Sequence, residues 1–454
     1  MFDPTDMIIL VSVLLTLVFF GIHIAVSLGV TSMLGIYLMT SDINTVLSFT
    51  SNTAYEALRD YVFAVIPLFM LMGEFLAKCG AASDLFTLIN RMTKWVPGRL
   101  GVATVLANAI FAFVTGVSIA AAAAFSKIAY PEMRRYGYER KFALGCIAGS
   151  ACLGMLIPPS VLMIVWGVLT EMAIGKLFIA GIVPGFIVVT LYIIYIIWVA
   201  KSNPARVGEG NDLPAIQKAA RDATDLIEET DLRTILWSTL GILALVVLVL
   251  GGIWLGAFTP TEGAGVGATL ALILALLRGM KPPEMMQAIL SVGRTSAPLL
   301  LLLVTAQLYS RVLSMTGVTG AAKDFFLSSG LSPYAILAMM ILVWFILGCI
   351  IDSISIILLT VPVFAPIAMA LGFDPLVFAI VGIIAIETGL LTPPFGILVF
   401  TVKAAVTDEK GLSTGEIFKG AAPYWVALLG SILLIVAFPQ VVTWLPNLGN
   451  AIAQ

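Results

Sequence analysis

Two stretches of this chain, residues 118–159 and 353–394, carry the same pattern of serine, proline, glycine and acidic residues, displaced by a constant 235 positions. Between these fixed positions the residues are mostly apolar and differ between the two copies. What repeats is therefore a set of residues that interrupt or end helices. The matched positions are Ser118 with Ser353, Pro131 with Pro366, Gly137 with Gly372, Glu139 with Asp374, Gly154 with Gly389, and Pro158-Pro159 with Pro393-Pro394.

The composition of the chain indicates a membrane protein. Of its 454 residues, 60% are hydrophobic and 11% are charged, whereas a soluble domain carries about a quarter charged residues. Many apolar runs reach about 20 residues, the length that crosses a hydrocarbon core of about 30 Å. The sequence therefore predicts an all-α, polytopic membrane protein. Its first helix is expected to be retained, because no basic residue precedes it as in a signal peptide.

Several classes of function are excluded by the same composition. The formal net charge is −2 and no basic patch is present, so nucleic acid is not expected as a partner. The four cysteines lack metal-ligand spacing, and we interpret them as reduced core residues. The single histidine, His23, is interpreted as a packing or interfacial residue. Without hydrolase or nucleotide-binding motifs, the chain is expected to be neither an enzyme nor an ATP-driven pump, and no cofactor is expected.

Charge patterning predicts the topology. A polar linker, 201–234, separates a first repeat, 1–200, from a second repeat, 235–454, and is expected to contain a short surface helix. Segment 99–135 has Lys and Arg on both sides, which places both of its ends in the cytoplasm. A single crossing cannot do this, whereas a re-entrant hairpin of two half-length helices can. Segment 333–371 has no Lys or Arg within or beside it, so it is expected to enter from the opposite side.

The sequence thus predicts two inverted repeats, each containing a re-entrant helical hairpin, with both termini outside the cytoplasm. After each hairpin comes a broken helix, 140–170 with Pro158-Pro159 and 375–406 with Pro393-Pro394. Proline frees the carbonyl four residues earlier, and in a membrane such a carbonyl must be buried in protein or line a polar site. Freed carbonyls suit a small cation, while the next helix start favours an anion. The alternative is a kink that serves packing only.

Polar side chains lie at the same places. Asp352, in the middle of the second hairpin, is a functional candidate because an ionisable residue at membrane depth is costly. It is interpreted as a cation partner or a substrate contact, with a cap at the hairpin tip or an ion pair as the alternative. Ser118 holds the matching place in the first hairpin, Ser160 follows the first proline pair and Thr392 precedes the second. Two roles remain open for Glu387: it could reach this same polar region, or it could make a scaffold contact.

Motifs of high specificity are spread along the chain. They are Ile66-Pro67-Leu68-Phe69, Gly116-Val117-Ser118, Pro131-Glu132-Met133, Leu156-Ile157-Pro158-Pro159-Ser160, Phe258-Thr259-Pro260-Thr261-Glu262, Asp352-Ser353 and Leu391-Thr392-Pro393-Pro394-Phe395-Gly396. In these motifs the chain resembles, over essentially its whole length, the large membrane subunit of tripartite ATP-independent periplasmic (TRAP) transporters. The resemblance implies an elevator-type secondary transporter, similar in fold to the ion-transporter superfamily, that takes up an organic acid together with Na⁺.

The resemblance also implies the partners and the location. The expected substrate is a C4-dicarboxylate, sialic acid or a similar carboxylate. The expected partners are a small four-helix membrane subunit, as a separate chain, and a periplasmic substrate-binding protein. The chain is then expected in the lipid bilayer of the bacterial inner membrane with periplasmic termini. A stand-alone Na⁺/carboxylate symporter, which works without a binding protein, is the alternative.

By the pattern of that family, the resemblance implies two Na⁺ sites with the substrate between them. Val117 stands where the family often has serine, so the first Na⁺ site is expected to depend more on backbone carbonyls. The implied substrate-binding residues are Ser118, Ser160 and Asp352. The implied Na⁺ ligands are Gly116, Ser118, Gly154 and Pro158 for the first site, and Asp352, Ser353, Gly389, Thr392 and Pro393 for the second.

Overall fold

The computed structural model describes residues 4–209, 232–407, 409 and 411–452. The regular secondary structure of these residues is helical, apart from one isolated bridge between Tyr138 and Val207. Eight helical segments in the described part are long and apolar enough to cross a membrane. The predicted all-α, multi-pass class is confirmed. The surface helix predicted in the linker falls largely on residues 210–231, which lie outside the described residues.

The helices follow one another along the two repeats. Before the linker they are α1 (Pro4–Phe19), α2 (Ile24–Thr40), α3 (Ile43–Arg59), α4 (Val65–Lys78), α5 (Ala81–Met92), α6 (Arg99–Thr115), α7 (Ser118–Arg135), α8 (Arg140–Ala151), α9 (Leu153–Leu156), α10 (Val161–Thr170) and α11 (Ile174–Ser202). After it they are α12 (Leu232–Trp254), α13 (Pro260–Leu277), α14 (Pro282–Met315), α15 (Val318–Ser328), α16 (Pro333–Gly348), α17 (Ser353–Ala370), α18 (Pro375–Gly389), α19 (Ile397–Ala405), α20 (Thr414–Ala437) and α21 (Gln440–Ile452).

The helix boundaries repeat at the 235-residue spacing of the sequence pattern. Adding 235 to the bounds of α7 gives 353–370, which are the bounds of α17. The same shift carries α2 onto α13, α4 onto the second half of α14, α6 onto α16, and α8 onto α18. The duplication therefore extends well beyond the sequence motifs. The inversion of one copy relative to the other stays a prediction.

In each repeat, two contacting helices are joined by a short turn within the predicted hairpin segment. Helix α6 ends at Thr115 because Gly116 adopts a φ of 60°, a left-handed conformation that glycine takes readily. Helix α7 then begins at Ser118. In the second repeat, α16 ends at Gly348, and α17 begins after Asp352, which serves as its N-cap. Entry of each pair from one side of the membrane stays a prediction.

A helix break follows each of these pairs. Helix α9 ends at Leu156 and α10 begins at Val161, with the first proline pair between them. Helix α18 ends at Gly389 and α19 begins at Ile397, with the second proline pair between them. The peptide bond within each proline pair is cis. The two breaks thus share the cis proline pair but differ in length, since residues 157–160 separate the helices in the first and residues 390–396 in the second.

The two repeats interlock rather than lying side by side. Helix α10, after the first break, packs against α17 of the second hairpin, and α19, after the second break, packs against α7 of the first. Helices α8 and α20 touch through their backbones, because a Cβ added at Gly145 would lie 2.1 Å from the backbone carbon of Gly420. Around this centre α4 packs against α13 and α2 against α14. Ser118 at the first tip and Ser160 at the first break are buried, whereas Ile350 at the second tip and Phe395 at the second break are exposed.

Candidate functional site

The tips of the two hairpins meet at the carboxylate of Glu387, on α18. Its Oε2 atom accepts a hydrogen bond from Ser118 Oγ at 2.6 Å, and its Oε1 atom accepts one from Ser353 Oγ at 2.9 Å. The side chains of these three residues are buried, with Glu387 only 1% exposed. Ser118 is the first residue of α7 and Ser353 is the first residue of α17. One carboxylate therefore joins both hairpins.

Among the described residues, hydroxyl groups and no ion pair hold the Glu387 carboxylate. None of the ion pairs among the described residues involves Glu387. The hydroxyls that bond it stand at the N-termini of α7 and α17, and a helix N-terminus carries about half a positive charge. Cys152 Sγ also donates to the backbone carbonyl of Glu387 at 3.5 Å. Hydrogen bonds to both oxygens fix the position of this buried carboxyl group.

The residues of the first predicted Na⁺ site lie together. A Cβ added at Gly116 would lie 2.5 Å from the carbonyl oxygen of Pro159, so the hairpin tip rests directly on the break. The Gly116 carbonyl accepts a hydrogen bond from Val161 N at 3.2 Å. A Cβ added at Gly154 would lie 3.0 Å from the backbone of Ser118. Close backbone approach at both glycines leaves no room for a side chain, and the tip and the break form one continuous polar stretch of backbone.

The second break rests on the end of α16 in a related way. A Cβ added at Gly389 would lie 2.6 Å from Gly348 Cα. Thr392 Oγ1 donates to the Gly389 carbonyl at 2.8 Å and lies 2.8 Å from Cys349 Sγ. Phe395 N donates to the Cys349 carbonyl at 3.1 Å. The turn that contains Pro393 is therefore fixed against the first arm of the second hairpin by side-chain and backbone contacts.

Asp352 faces a different space. Its carboxylate caps α17 by accepting from Ser355 N at 3.0 Å and from Ser355 Oγ. It also lines a cavity of about 370 Å³ with His23, which lies between α1 and α2, and Pro298 of α14. His23 Nδ1 accepts from Ala25 N at 3.3 Å, so Nε2 carries the proton in the neutral ring. The cavity thus brings a carboxylate and an imidazole together between the second hairpin tip and the outer helices.

A larger cavity, of about 580 Å³, lies away from both breaks. It is lined by residues from the turns before α4, α11 and α13, among them Tyr61, Glu171 and Phe258. None of the predicted site residues lines this cavity. Its size therefore does not mark the region in which the duplicated helix breaks meet.

The predicted substrate residues do not share one cavity. Asp352 lines the 370 Å³ cavity, whereas Ser118 does not and bonds Glu387 instead. The buried Ser160 donates from Oγ to the Met155 carbonyl and accepts from Met163 N at 3.4 Å, which caps α10. Ser160 nevertheless adjoins the first hairpin, because the Gly116 Cβ position is 3.6 Å from its Cα. Ser160 therefore lies at the first break, whereas Asp352 lies at the second hairpin tip and lines the cavity beside His23.

Glu387 is the residue whose role sequence reasoning left open. Its hydrogen-bond partners lie 269 and 34 residues away along the chain. The 235-residue spacing offered one signal, since it makes Glu387 the counterpart of Cys152 and Ser353 the counterpart of Ser118. At this pair of equivalent buried positions, one repeat has a thiol and the other has a carboxylate. The two repeats therefore differ in chemistry at this point.

Comparison with known proteins identifies the family. The family described as "Tripartite ATP-independent periplasmic transporter, DctM component" matches residues 11–441. The C4-dicarboxylate TRAP transporter large permease protein DctM of Pseudomonas aeruginosa is 35% identical over 427 residues, which cover 93% of this chain and 94% of that protein. The sialic acid TRAP transporter permease protein SiaT of Haemophilus influenzae is 27% identical over 436 residues, which cover 96% of this chain and 67% of that protein.

Among solved structures, the YdaH transporter of Alcanivorax borkumensis has a similar fold, with a TM-score of 0.63 at 14% identity over 97% of this chain and 100% of that one. The matched family consists of transporter permeases, which confirms that the chain is not an enzyme. It also implies a small membrane subunit and a periplasmic binding protein as partners. By these matches, which extend over most of its length, the chain belongs to the family of TRAP transporter large permease subunits.

Proposed function

We propose that this subunit carries out Na⁺-coupled uptake of an organic acid across the bacterial inner membrane. The substrate class is a C4-dicarboxylate, sialic acid or a similar carboxylate. A periplasmic binding protein delivers the substrate, and a small four-helix membrane subunit accompanies the chain. Transport proceeds by elevator-type alternating access, in which the hairpins and the broken helices move as one body against the outer helices.

The observation that carries the proposal is the interlocked packing of the two hairpin tips on the two helix breaks. Gly116 and Gly154 bring the first tip and the first break into backbone contact. Gly389 and Thr392 do the same for the second break and the end of α16. Irregular backbone inside a membrane protein is tolerated where it is buried or lines a site. Two such regions in a duplicated fold supply backbone oxygens for cations and helix N-termini for an anion.

The donor atoms near the breaks fit Na⁺ better than a transition metal. No group of three or more His, Cys, Asp or Glu side chains that could hold a metal ion occurs among the described residues. Carbonyl, hydroxyl and carboxylate oxygens are hard ligands, and Ser118, Ser353, Thr392 and Asp352 place such oxygens near the hairpin tips and the breaks. A membrane potential of 100 mV contributes about 2.3 kcal/mol for each net positive charge that enters with the substrate.

The test is uptake into liposomes that contain this chain with its small membrane subunit. Purified binding protein is added outside, and radiolabelled succinate and N-acetylneuraminate serve as probes of the two acid classes. We expect uptake to require the binding protein and an inward Na⁺ gradient, and to stop when choline replaces Na⁺. Uptake unchanged by that replacement would overturn Na⁺ coupling.

A stand-alone symporter is the competing function, and the same liposomes distinguish it. Chain reconstituted without the small subunit and without the binding protein is expected to give no uptake above protein-free liposomes. Na⁺-driven uptake by this chain alone would show that it works as a symporter by itself.

A further inference from the structure

We propose that Glu387 is a positioning residue that couples the two hairpin tips, so that a change at one helix break is transmitted to the other. We call the link from Ser118 through Glu387 to Ser353 the tie, and it rests on the geometry around the carboxylate. Its consequence for cations rests on the proposed Na⁺-coupled function. Glu387 belongs to neither hairpin and was not among the predicted substrate or Na⁺ ligands.

Each oxygen of the Glu387 carboxylate holds a different hairpin. Oε2 accepts from Ser118 of α7, and Oε1 accepts from Ser353 of α17. A carboxylate is planar and rigid, so a shift of one oxygen moves the other. With Glu387 only 1% exposed, bulk water does not replace a lost hydroxyl partner. Displacement of one serine therefore leaves a buried acceptor unsatisfied unless the carboxylate and the second serine follow.

Ser118 and Glu387 itself each adjoin a break region. Ser118 lies against Gly154, just before the first proline pair, with a Gly154 Cβ position 3.0 Å from the Ser118 backbone. Glu387 itself lies two residues before Gly389, the last residue of α18. A cation that draws the Ser118 hydroxyl or the neighbouring carbonyls towards itself thus acts directly on the tie.

The tie is asymmetric with respect to the two repeats. Ser118 and Ser353 are counterparts at the 235-residue spacing, and so are Cys152 and Glu387. Two equivalent serines share a single carboxylate, while the thiol at the equivalent position bonds the backbone carbonyl of Glu387 at 3.5 Å. If each repeat had its own carboxylate, two buried anions would repel each other at the centre. One shared carboxylate avoids that repulsion and links the repeats.

Hydrogen exchange of the intact complex tests the tie without reference to transport. Exchange rates are measured at the two tips, residues 116–121 and 351–356. We expect S118A to raise exchange at the second tip as well as at its own, by about tenfold, because a hydrogen bond to a charged group stabilises by at least that factor. E387Q is expected to raise exchange at both tips, and S118A added to E387Q is expected to have no further effect on the second tip.

Thr388→Val is the matched control, because Thr388 is adjacent and fully buried, and its hydroxyl donates to the Ile384 carbonyl of its own helix. An S118A variant with normal exchange at the second tip would overturn the tie, as would an E387Q variant equal to T388V. The single-hydroxyl variants S118A and S353A decide the matter even if E387Q does not fold.

The consequence for cations is tested by the Na⁺ dependence of uptake in the liposomes. The Hill coefficient for the dependence of uptake on Na⁺ concentration is measured. We expect it to fall from above one towards one in E387Q, and to stay unchanged in T388V. An unchanged Hill coefficient in E387Q, together with altered exchange, would overturn the coupling of cations while the tie stands. Uptake that is independent of Na⁺ in the unmodified protein would instead overturn the proposed function, and the exchange result would still decide the tie.

Discussion

Asp352 caps α17 and also lines the cavity beside His23, and substitutions can separate these two contributions. Asn keeps an oxygen for the cap but removes the charge. We expect D352N to change the free energy of unfolding by less than about 0.5 kcal/mol, because Asn and Asp cap helices about equally well, and to abolish uptake. D352A is expected to cost about 1 kcal/mol and to lose uptake while still inserting and pairing with the small subunit. Thermal unfolding and uptake assays measure both effects. Na⁺-dependent uptake by D352N would remove the Asp352 charge from the transport cycle.

The roles of individual residues were predictable where the cause is local. Asp352 followed three residues later by Ser355 has the form of a helix N-cap, and Ser160 after a proline pair has the same form. The partners of Glu387 were not predictable, because no local pattern connects residues 269 positions apart. The separation of Asp352 from Ser118 and Ser160 also depends on packing, which turns the Asp352 carboxylate towards the outer helices.

At the scale of helices, the crossing of α8 and α20 depends on glycine. A Cβ at Gly145 would lie 2.1 Å from the backbone carbonyl carbon of Gly420. This atom cannot move aside as the end of a side chain can. We expect G145A to lower the stability by about 1–3 kcal/mol, as overpacking does, and to reduce uptake. Gly430, also on α20, has nothing within 4 Å of a Cβ position. G430A therefore serves as the control and is expected to be neutral or slightly stabilising. Equal melting temperatures for the two variants would contradict the close crossing.

The first proline pair gives a second prediction at this scale. Alanine at Pro158 restores a backbone donor and favours a continuous helix through the break. Pro260 stands instead at the first position of α13, where a donor would have no partner within the helix. We expect P158A to impair uptake strongly and P260A to leave it near normal, with equal amounts of both proteins in the membrane. Equal impairment would mean that the break serves packing only.

Helix breaks were predictable because their causes lie in the broken segments themselves. Glycine and proline act on their own turn of backbone, so Gly116, Gly154 and the proline pairs could be read from the sequence. The interlocked packing of α10 with α17 and of α7 with α19 could not. Helices α10 and α17 are almost uniformly apolar, so no hydrophobic stripe indicates which partner each one meets. The charged residues of α7 lie mainly near its C-terminal end and do not indicate α19 as its partner.

At the scale of the whole molecule, a polar cluster fastens the first hairpin to the second repeat. Glu409, in the loop before α20, accepts from Tyr130 Oη at 2.7 Å and from Arg134 Nε at 2.9 Å. The hydrogen bond from Tyr130, followed by that from Arg134, lowers the pKa of Glu409 below its ordinary value of 4.5. Because the folded-state pKa is the lower one, the stabilisation is complete above the ordinary value and is lost as the pH falls through the lowered value.

Thermal unfolding in detergent between pH 7 and pH 3 tests this cluster. E409Q is expected to cost no more than about 1 kcal/mol at pH 7, because the pair is partly exposed. It is also expected to lose stability less steeply than the unmodified protein on acidification. A parallel decline of the two proteins would show that Glu409 does not contribute to the acid dependence.

The predicted topology belongs to the same scale and can be tested with reporter fusions. Alkaline phosphatase joined after residue 454 is expected to be active in cells, because the enzyme folds in the periplasm, and a green fluorescent protein joined there is expected to be dark. Reporters inserted in the 201–234 linker should give the opposite result. The reverse pattern at either place would exclude the predicted orientation.

The distance along the chain between Ser118 and Glu387 has a consequence for biosynthesis. The hydroxyl is translated 269 residues before its acceptor, which at about 5–20 residues per second is a delay of roughly 13 to 54 seconds. During that interval the Ser118 hydroxyl lacks its Glu387 partner, and helix α20, the close partner of α8, has not yet been made. The Ser118–Glu387 hydrogen bond and the packing of α8 on α20 therefore form only after most of the chain has been synthesised.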